Sequence, residues 1–555
     1  MAMISGGELL VRTLKQAGVR SVFGLHGAHL ETLFQACARQ GIRITDTRTE
    51  AAAGHAAEGY ARAVRTLGVA MVTAGPGFTN AITSIANAYL DRTPVLYLSG
   101  SAALRDAETN TLQAGIDQVA IARPITRWAH QVTTSSEIPR LVSHAIRMAT
   151  CGARGPVLLD LPLDVLTATV DEATVTIPGT IAIDSAPAPN ALAIEQAVRL
   201  IASARRPIVM AGAGAYWSDA SEELRRFAEA SGVPVYSDFQ AHGLIPSNHP
   251  LYGGTFHKLA DLEAEEGRPD VVLALGVRFG LFTLGRSERL VPAKARIIHV
   301  ELDPVEIGRL RDVAVAIVAD SRETLRALNV AASAVRWPDR SEWQQTIRDA
   351  RAAHRERLSG MLARNQPPIH PYQAVATIID QIGEDAIVVG DGAESYHWLN
   401  EVIRQNRPGS YITHGFLGAV GFGMGLAIGA QVANPARRVV CIAGDGAIGF
   451  SLAEFDTLAR HQLPVVAVVM NNRSWGASQH FQEIVSGADH LVGTRLGNAR
   501  YADVAAALGC HAQQVTDIDA LAPAVRAALA SGKPACIDVA IDVAPIPPEV
   551  GLLMS

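Results

Sequence analysis

The chain is predicted to be an α/β protein of three doubly wound parallel-sheet domains, and three observations carry that reading. Its 555 residues exceed what one core accommodates and fit about three domains of ordinary size. Short apolar, β-branched runs alternate with stretches of helical spacing along the whole length, the pattern of parallel sheets covered on both faces. With 48% hydrophobic and 18% charged residues and few aromatics, the composition is that of a well-packed globular protein.

The first domain, residues 1–180, has strand patterns at Ser21 to Leu25, Arg43 to Thr47, Val69 to Thr73 and Val95 to Leu98, and it closes near Pro156 to Pro162. Asp171 to Asn190, with Pro178, Pro187 and Pro189, reads as a surface linker. The central domain, residues 190–340, has strands at Pro207 to Met210, Val233 to Tyr236, Val271 to Leu275, Ile297 to Val300 and Ala316 to Val318. A charged helical stretch from Ser341 to Met361 and the polar Asn365-Gln366-Pro367-Pro368 separate it from the third domain, residues 365–555.

The net charge of -6 is small for this length and is not gathered into runs, so neither nucleic acid nor an anionic membrane is an expected partner. Cys37, Cys151, Cys441, Cys510 and Cys536 are scattered and show no metal-binding spacing, which suits buried free thiols. The start from Met1 to Gly7 lacks a basic segment followed by an apolar stretch, and no long uncharged apolar run occurs. A cytoplasmic protein acting on small molecules is therefore expected.

The most informative spacing lies in the third domain. Gly444-Asp445-Gly446 follows an apolar strand, Arg438 to Ala443; twenty-four residues later come Asn471-Asn472, after a second strand, Pro464 to Met470. Helical spacing from Phe450 to His461 completes a βαβ unit. In such a unit both groups emerge at the carboxyl ends of neighbouring parallel strands, where doubly wound sheets bind ligands. A carboxylate and an amide are hard oxygen donors suited to Mg²⁺, which is usually held by one or two protein groups plus phosphates. The glycines let backbone approach those phosphates. By contrast, Gly212-Ala213-Gly214 is followed by Trp217 where a dinucleotide fingerprint needs glycine, so it is read as a structural turn.

End to end, the chain resembles thiamine-diphosphate-dependent enzymes, and within them most the benzaldehyde lyases. The resemblance is carried by Gly24 to His29, Glu50 to Arg62, Asn110 to Gln118 and Asn471 to Ala477. It implies that the first domain binds the aminopyrimidine of thiamine diphosphate and the third its diphosphate and Mg²⁺. Asp445, Asn472 and Ser474 are the implied metal ligands. Gly444, Gly446, Ala447, Ala393, Trp475, Gly476 and Ala477 are the implied cofactor cradle, with Thr73 and Asn80 on the rim of the first domain.

The resemblance further implies that Glu50 hydrogen-bonds the aminopyrimidine and favours its imino tautomer, so that the cofactor serves as its own base. Val420 falls where a bulky side chain supports the bent cofactor, and the Gly418 carbonyl would meet the exocyclic amine. His29 and Gln113 are placed over the reactive carbon, His29 as a proton relay and Gln113 as both donor and acceptor. Ala28, Leu112, Leu163, Tyr396, His414 and Ala477 are the remaining substrate-side candidates. Leu163 stands where a tryptophan is expected in the benzaldehyde lyases, which widens that side of the pocket. Decarboxylating relatives carry paired histidines in the loop that here has Ala28 beside His29, which favours uncharged substrates.

In the central domain, Val277-Arg278-Phe279-Gly280 departs from the pattern of flavin-carrying acetohydroxyacid synthases, so no flavin is expected. The implied activity is an aldehyde-lyase and carboligase that interconverts acyloins, 2-hydroxy ketones of the benzoin type, with aldehydes. The rival readings are a 2-hydroxyacyl-CoA lyase, a 2-oxo acid decarboxylase or acetohydroxyacid synthase, and a cofactor-binding regulatory protein without turnover. The tail from Ile546 to Ser555 is short and not basic, which disfavours a CoA site. Because the two ends of the cofactor are bound by different subunits in such enzymes, a homodimer at minimum is implied, and a homotetramer of two dimers is the family expectation.

Overall fold

In the computed structural model, which describes residues 2–183, 185–262, 267–285, 287–362 and 367–550, each of three sheets has six strands, all parallel. Met1, Asn365, Gln366 and the tail from Gly551 to Ser555 lie outside the described residues.

The strand runs are apolar because both faces of each sheet are covered. Val271–Leu275 and Val466–Asn471 are buried at every position, as expected for central parallel strands. The first sheet runs Arg43–Asp46, Ser21–Gly24, Gly68–Val72, Val95–Ser101, Val157–Pro162, Trp128–Gln131. The third runs Tyr411–Thr413, Ile387–Asp391, Val439–Gly444, Val466–Asn471, Ala535–Ala540, His511–Val515. Numbered within each domain, both orders are 2-1-3-4-6-5. The central sheet instead runs 3-2-1-4-5-6, the dinucleotide-fold order, from Tyr252–Thr255 to Val315–Val318. In the first and third sheets the switch point lies between the first and third strands, and both sequence-predicted cofactor regions sit at its carboxyl ends.

The predicted strands are present with ends shifted by up to three residues, the largest shift being the extension of Val95 to Leu98 as far as Ser101. Two expectations need correcting. The helix expected from Phe450 begins only at Glu454 and ends at Arg460, because Asp445–Gly449 forms its own short helix and a turn follows. The stretch from Asp171 is not wholly linker: Thr169–Asp171 pairs antiparallel with Met3–Ser5, tying the two ends of the first domain together.

The first and third domains share one apolar core. Phe23, Ala53, Ala57 and Phe78 pack in the same cluster as Ile387, Val389, Met424 and Val469. Its spine is the pairing of helix Glu50–Val64 with helix Gly423–Ala433, where small residues permit near backbone contact. A Cβ on Gly429 would lie 1.9 Å from the Ala56 carbonyl, and one on Gly59 2.2 Å from that of Leu426. Cys37, Cys441, Cys510 and Cys536 are buried free thiols, and Cys151 is half-buried and free. No helix among the described residues is long and apolar enough to cross a membrane.

Candidate active site

The first half of the site gathers at the switch point of the first sheet. Glu50 opens its helix, with Thr49 as N-cap accepting from Ala52 N at 3.2 Å. The cap is fixed from the third domain, since Glu454 accepts from Arg48 N at 3.2 Å and from the Thr49 hydroxyl at 3.4 Å. Glu50 is buried, and Asn80 Nδ2 donates to its Oε2 at 3.1 Å. Its other oxygen, Oε1, faces Gly77, where a Cβ would stand 3.5 Å from it and 2.8 Å from Thr73 Cγ2. Thr73 in turn lies beside His29, with Oγ1 3.3 Å from the imidazole Nδ1. Burial lowers the pKa of His29, which favours the neutral ring.

Gln113 joins this group across the turn that starts the next helix. Gly75 is in the left-handed region at φ 63°, and a Cβ there would come within 3.1 Å of Gln113 Cβ. Gln113 is itself left-handed at φ 60°. The turn is held by Gln118, a residue to which the sequence assigns no task. Its Oε1 accepts from Gly75 N at 3.0 Å, while its Nε2 donates to Asp160 Oδ1 at 2.5 Å and to the Gly100 carbonyl at 3.0 Å. Leu163 is half-buried at the start of helix Leu163–Thr167, which packs on the Ala28–Leu30 turn. Ala28 is exposed, and Leu112 is 82% exposed, so within one chain Leu112 lies on open surface and encloses nothing.

The second half gathers at the switch point of the third sheet. Gly444 caps the short helix that Asp445 begins, and a Cβ on Gly392 would lie 3.3 Å from Gly444 N and 3.5 Å from Ala447 Cβ. Gly392 is the N-cap of helix Ala393–Val402, so Ala393, Gly444 and Ala447 meet where helix N-termini present free amides. Across from them, Gly446 leaves room for the Trp475 ring, which a Cβ would approach to 2.4 Å. A Cβ on Gly476 would meet Asn472 Nδ2 at 2.8 Å and Glu394 Oε2 at 2.4 Å. Ala477 follows, half-buried, in the first turn of helix Gly476–Ser486.

Asp445 is 2% exposed, yet its Oδ2 has no hydrogen-bond partner. Burial raises its pKa to about 6, against the lowering effect of the Gly446 and Arg473 amides. An orphaned buried carboxylate oxygen is what a cation site requires before it is filled. Asn472 is half-buried, and its Oδ1 accepts from Ser474 N at 3.0 Å in a tight turn in which Arg473 is left-handed at φ 59°. Asn471 is turned toward Asp538, its Nδ2 donating to Oδ1 at 2.9 Å while its Oδ1 accepts from Arg473 N at 3.2 Å. The Ser474 hydroxyl donates within the protein, lying 2.7 Å from Gln479 Oε1 and 3.0 Å from the Thr494 carbonyl. No cluster of three or more His, Cys, Asp or Glu residues suited to a metal occurs among the described residues, so a cation here would rely on one carboxylate, amide and backbone oxygens, and ligand phosphates. The residues present fit that demand.

Between the halves, Val420 is half-buried in an irregular segment, and Gly418 is exposed at φ 64°. Asp391, for which the sequence offers no such role, pins this segment: Oδ1 accepts from Gly421 N at 3.1 Å and Oδ2 from Gly423 N at 2.7 Å. Tyr396 is buried, its ring centroid 4.5 Å from that of His414, and burial lowers the pKa of His414 to about 4. Among the described residues no hydrogen bond or ion pair links Glu50, His29 or Gln113 to Asp445 or Asn472 of the same chain.

Comparison with known proteins agrees with this division into halves. Residues 4–121 match the family model for the N-terminal TPP binding domain of thiamine pyrophosphate enzymes, 194–328 that for their central domain, and 391–539 that for their C-terminal TPP binding domain. Similar relatives include a probable acetolactate synthase of Mycobacterium bovis, 33% identical over 97% of this chain and 95% of its own. A probable acetolactate synthase large subunit of Methanocaldococcus jannaschii is 32% identical over 99% of this chain and 93% of its own. The acetolactate synthase isozyme 2 large subunit of Escherichia coli K12 is 30% identical over 97% and 96%. With both cofactor-binding domains and the central domain matched, the chain belongs to the thiamine pyrophosphate enzymes.

Proposed function

We propose that this thiamine pyrophosphate enzyme is a Mg²⁺-dependent aldehyde-lyase and carboligase that cleaves 2-hydroxy ketones of the benzoin type to aldehydes and joins aldehydes in reverse. The observation that carries this reading is the neutral character of His29 and Gln113, which lie on the turns beside Thr73 and Gly75. His29 is biased to the uncharged ring by burial, and Gln113 lies on the adjoining turn. Ala28 and Leu163 add apolar surface on the turn and helix beside them. A carboxylate-bearing substrate would lose hydration there against neutral groups, whereas a ketone or aldehyde would not.

Asp445, Asn472 and the Ser474 carbonyl would hold Mg²⁺, and the amides from Ala393, Gly444 to Ala447 and Trp475 to Ala477 would cradle the diphosphate. Bound thiamine diphosphate supplies a thiazolium carbon that carries the electron pair released when the carbon–carbon bond breaks. Glu50, kept in place by Asn80, would hold a proton at the aminopyrimidine ring nitrogen. His29 would take the proton of the acyloin hydroxyl and return it in ligation, and Gln113 would orient the carbonyl. Val420 would support the bent cofactor, and Tyr396, His414 and Ala477 would bound the substrate.

A second reading is favoured by the relatives, whose names are acetolactate synthases: a carboligase acting on 2-oxo acids. Turnover of benzoin, benzoylformate and pyruvate with added thiamine diphosphate and Mg²⁺ separates the two. Cleavage of benzoin without use of pyruvate supports the first, and acetolactate formation from pyruvate replaces it with the second.

The same reading makes the protein a homodimer at minimum, with a tetramer of two dimers as its fuller form. Leu112 and Ile116 near the first half-site, and Phe450, Phe481 and Ile484 near the second, are exposed in the single chain. Sedimentation equilibrium at micromolar concentration tests this, and a monomer that turns over substrate would refute it.

A further inference from the structure

After its last strand, Ala535–Ala540, the chain does not leave the protein but crosses the helix whose N-terminus forms part of the phosphate cradle. Ile541 N donates to the Asn471 carbonyl at 3.0 Å, and Asp542 N to that of Ile369 at 2.8 Å. The Val543 carbonyl lies 2.7 Å from His480 Nε2, and the other nitrogen of that ring is 2.5 Å from Glu394 Oε1, in the first turn of helix Ala393–Val402. Further on, Glu549 turns inward and is 1% exposed. Its Oε2 is 2.8 Å from His397 Nδ1 and 3.1 Å from Asn400 Nδ2, and its Oε1 is 3.3 Å from His257 Nδ1 in the central domain.

Glu394, His397 and Asn400 recur every three residues along that helix, and the C-terminal segment reaches the first through His480 and the other two through Glu549. The contacts reach the substrate side through neighbours. Asn400 Oδ1 accepts from the Tyr411 hydroxyl at 2.8 Å, and Tyr396, next to His397 in the chain, has its ring centroid 4.5 Å from that of His414 and its plane tilted at 55° to it. A carboxylate this deeply buried is costly unless donors surround it, and one pointing at two domains fixes their relation. Burial alone would raise its pKa, but the imidazoles of His257 and His397 hold it well below the usual carboxylate range.

We infer that Glu549 is a positioning residue: its carboxylate oxygens clasp the C-terminal segment to His397 and Asn400 of helix Ala393–Val402 and to His257, and thereby set Tyr396 against His414. The clasp itself is independent of the substrate, but its effect on turnover rests on the reading that Tyr396 and His414 border the substrate.

The test compares Glu549→Ala and Glu549→Gln with the full-length wild-type holoenzyme by amide hydrogen exchange and by steady-state kinetics. The expected result is exchange in the peptide spanning 393–402 faster by about tenfold in Glu549→Ala, with helix Gly423–Ala433 unchanged. Glu549→Gln keeps the shape and two acceptor–donor contacts, so it should show a smaller rise in the same peptide, and it carries the test alone if the alanine variant does not fold. With whichever substrate the wild type uses, KM should rise by about fivefold or more while the dissociation constant of thiamine diphosphate changes less than about twofold. Unchanged exchange over 393–402 overturns the clasp, and so does a uniform rise across all three domains, which marks bulk destabilisation. Absence of benzoin cleavage with the exchange pattern intact would overturn the functional reading and leave the clasp standing.

Discussion

Asp391 and Asp445 occupy the same place in two copies of one run, Gly-Asp-Gly-Ala, at the ends of adjacent strands, yet only Asp445 keeps an unpaired carboxylate oxygen. Both oxygens of Asp391 accept backbone amides from the loop that carries Val420. One aspartate is thus a fastener, and the other keeps a buried oxygen that no protein donor satisfies.

Burial raises the pKa of both aspartates to about 6, so the contrast lies in their acceptors: neutralising Asp445 with its shape kept and deleting the acceptors of Asp391 should have opposite outcomes. Burial raises the pKa of Asp445 from 3.8 to about 6, so in metal-free protein this group favours folding below that range and the benefit is lost as pH rises through about 6. Asp445→Asn should therefore stabilise the metal-free protein at pH 7 by on the order of 1–2 kcal/mol while abolishing retention of thiamine diphosphate and Mg²⁺. In wild type, metal affinity should fall as pH drops through about 6. Asp391→Ala should instead lower stability by roughly 2–4 kcal/mol, because two buried amides lose their acceptor. Thermal unfolding of the metal-free variants at pH 5 and 7, with cofactor content after dialysis, checks both; equal shifts in Tm would refute the distinction.

Glu50→Gln should bind cofactor with near-normal affinity, since Asn80 and the Thr49 cap remain, but turnover should fall by about 10²-fold or more. A glutamine keeps the shape of the side chain and cannot share an acidic proton with the aminopyrimidine. Binding isotherms beside steady-state rates decide this, and a variant with wild-type rate removes Glu50 from the chemistry.

His29→Ala should slow acyloin cleavage by roughly 10²-fold and leave cofactor affinity within about threefold. The acidic limb of the wild-type rate profile should lie below the usual histidine pKa, because burial favours the neutral ring and protonation disables it only at lower pH. A profile unchanged in the variant would assign that limb to another group.

Central strands such as Val271–Leu275 and Val466–Asn471 were legible because burial on both faces leaves continuous apolar runs, although Ile387–Asp391 and Ala535–Ala540, also interior, were not among the expected strands. The edge strands Trp128–Gln131 and His511–Val515 were not, since partial cover lets polar residues enter and erases the run. Asp445 and Asn472 were legible as a spacing. The second Gly-Asp-Gly-Ala run was equally visible, but only the structure shows that Asp391 spends its oxygens on Gly421 and Gly423. Glu454 was beyond sequence reasoning altogether, because its partner Arg48 lies 406 residues away. Gln118 lay inside a motif read for its neighbours, and its bond to Gly75 depends on how a glycine turn meets a distant helix.

Leu163 offers a test of selectivity separate from chemistry. It is half-buried at the start of the short helix that packs on the Ala28–Leu30 turn, the turn that carries His29. Replacing it with tryptophan adds a flat aromatic wall on that side and removes room for branched groups. Aryl acceptors should gain from stacking, and branched aliphatic acceptors should lose from overlap. The change in discrimination should be about 1–3 kcal/mol, the range for modest changes of shape in an apolar pocket. Because Leu163 bears no polar group and forms none of the hydrogen bonds to Glu50 or His29, cofactor affinity should not move. Measuring kcat/KM for ligation with benzaldehyde and with isobutyraldehyde in wild type and Leu163→Trp isolates the effect, and an unchanged ratio would place Leu163 away from the acceptor.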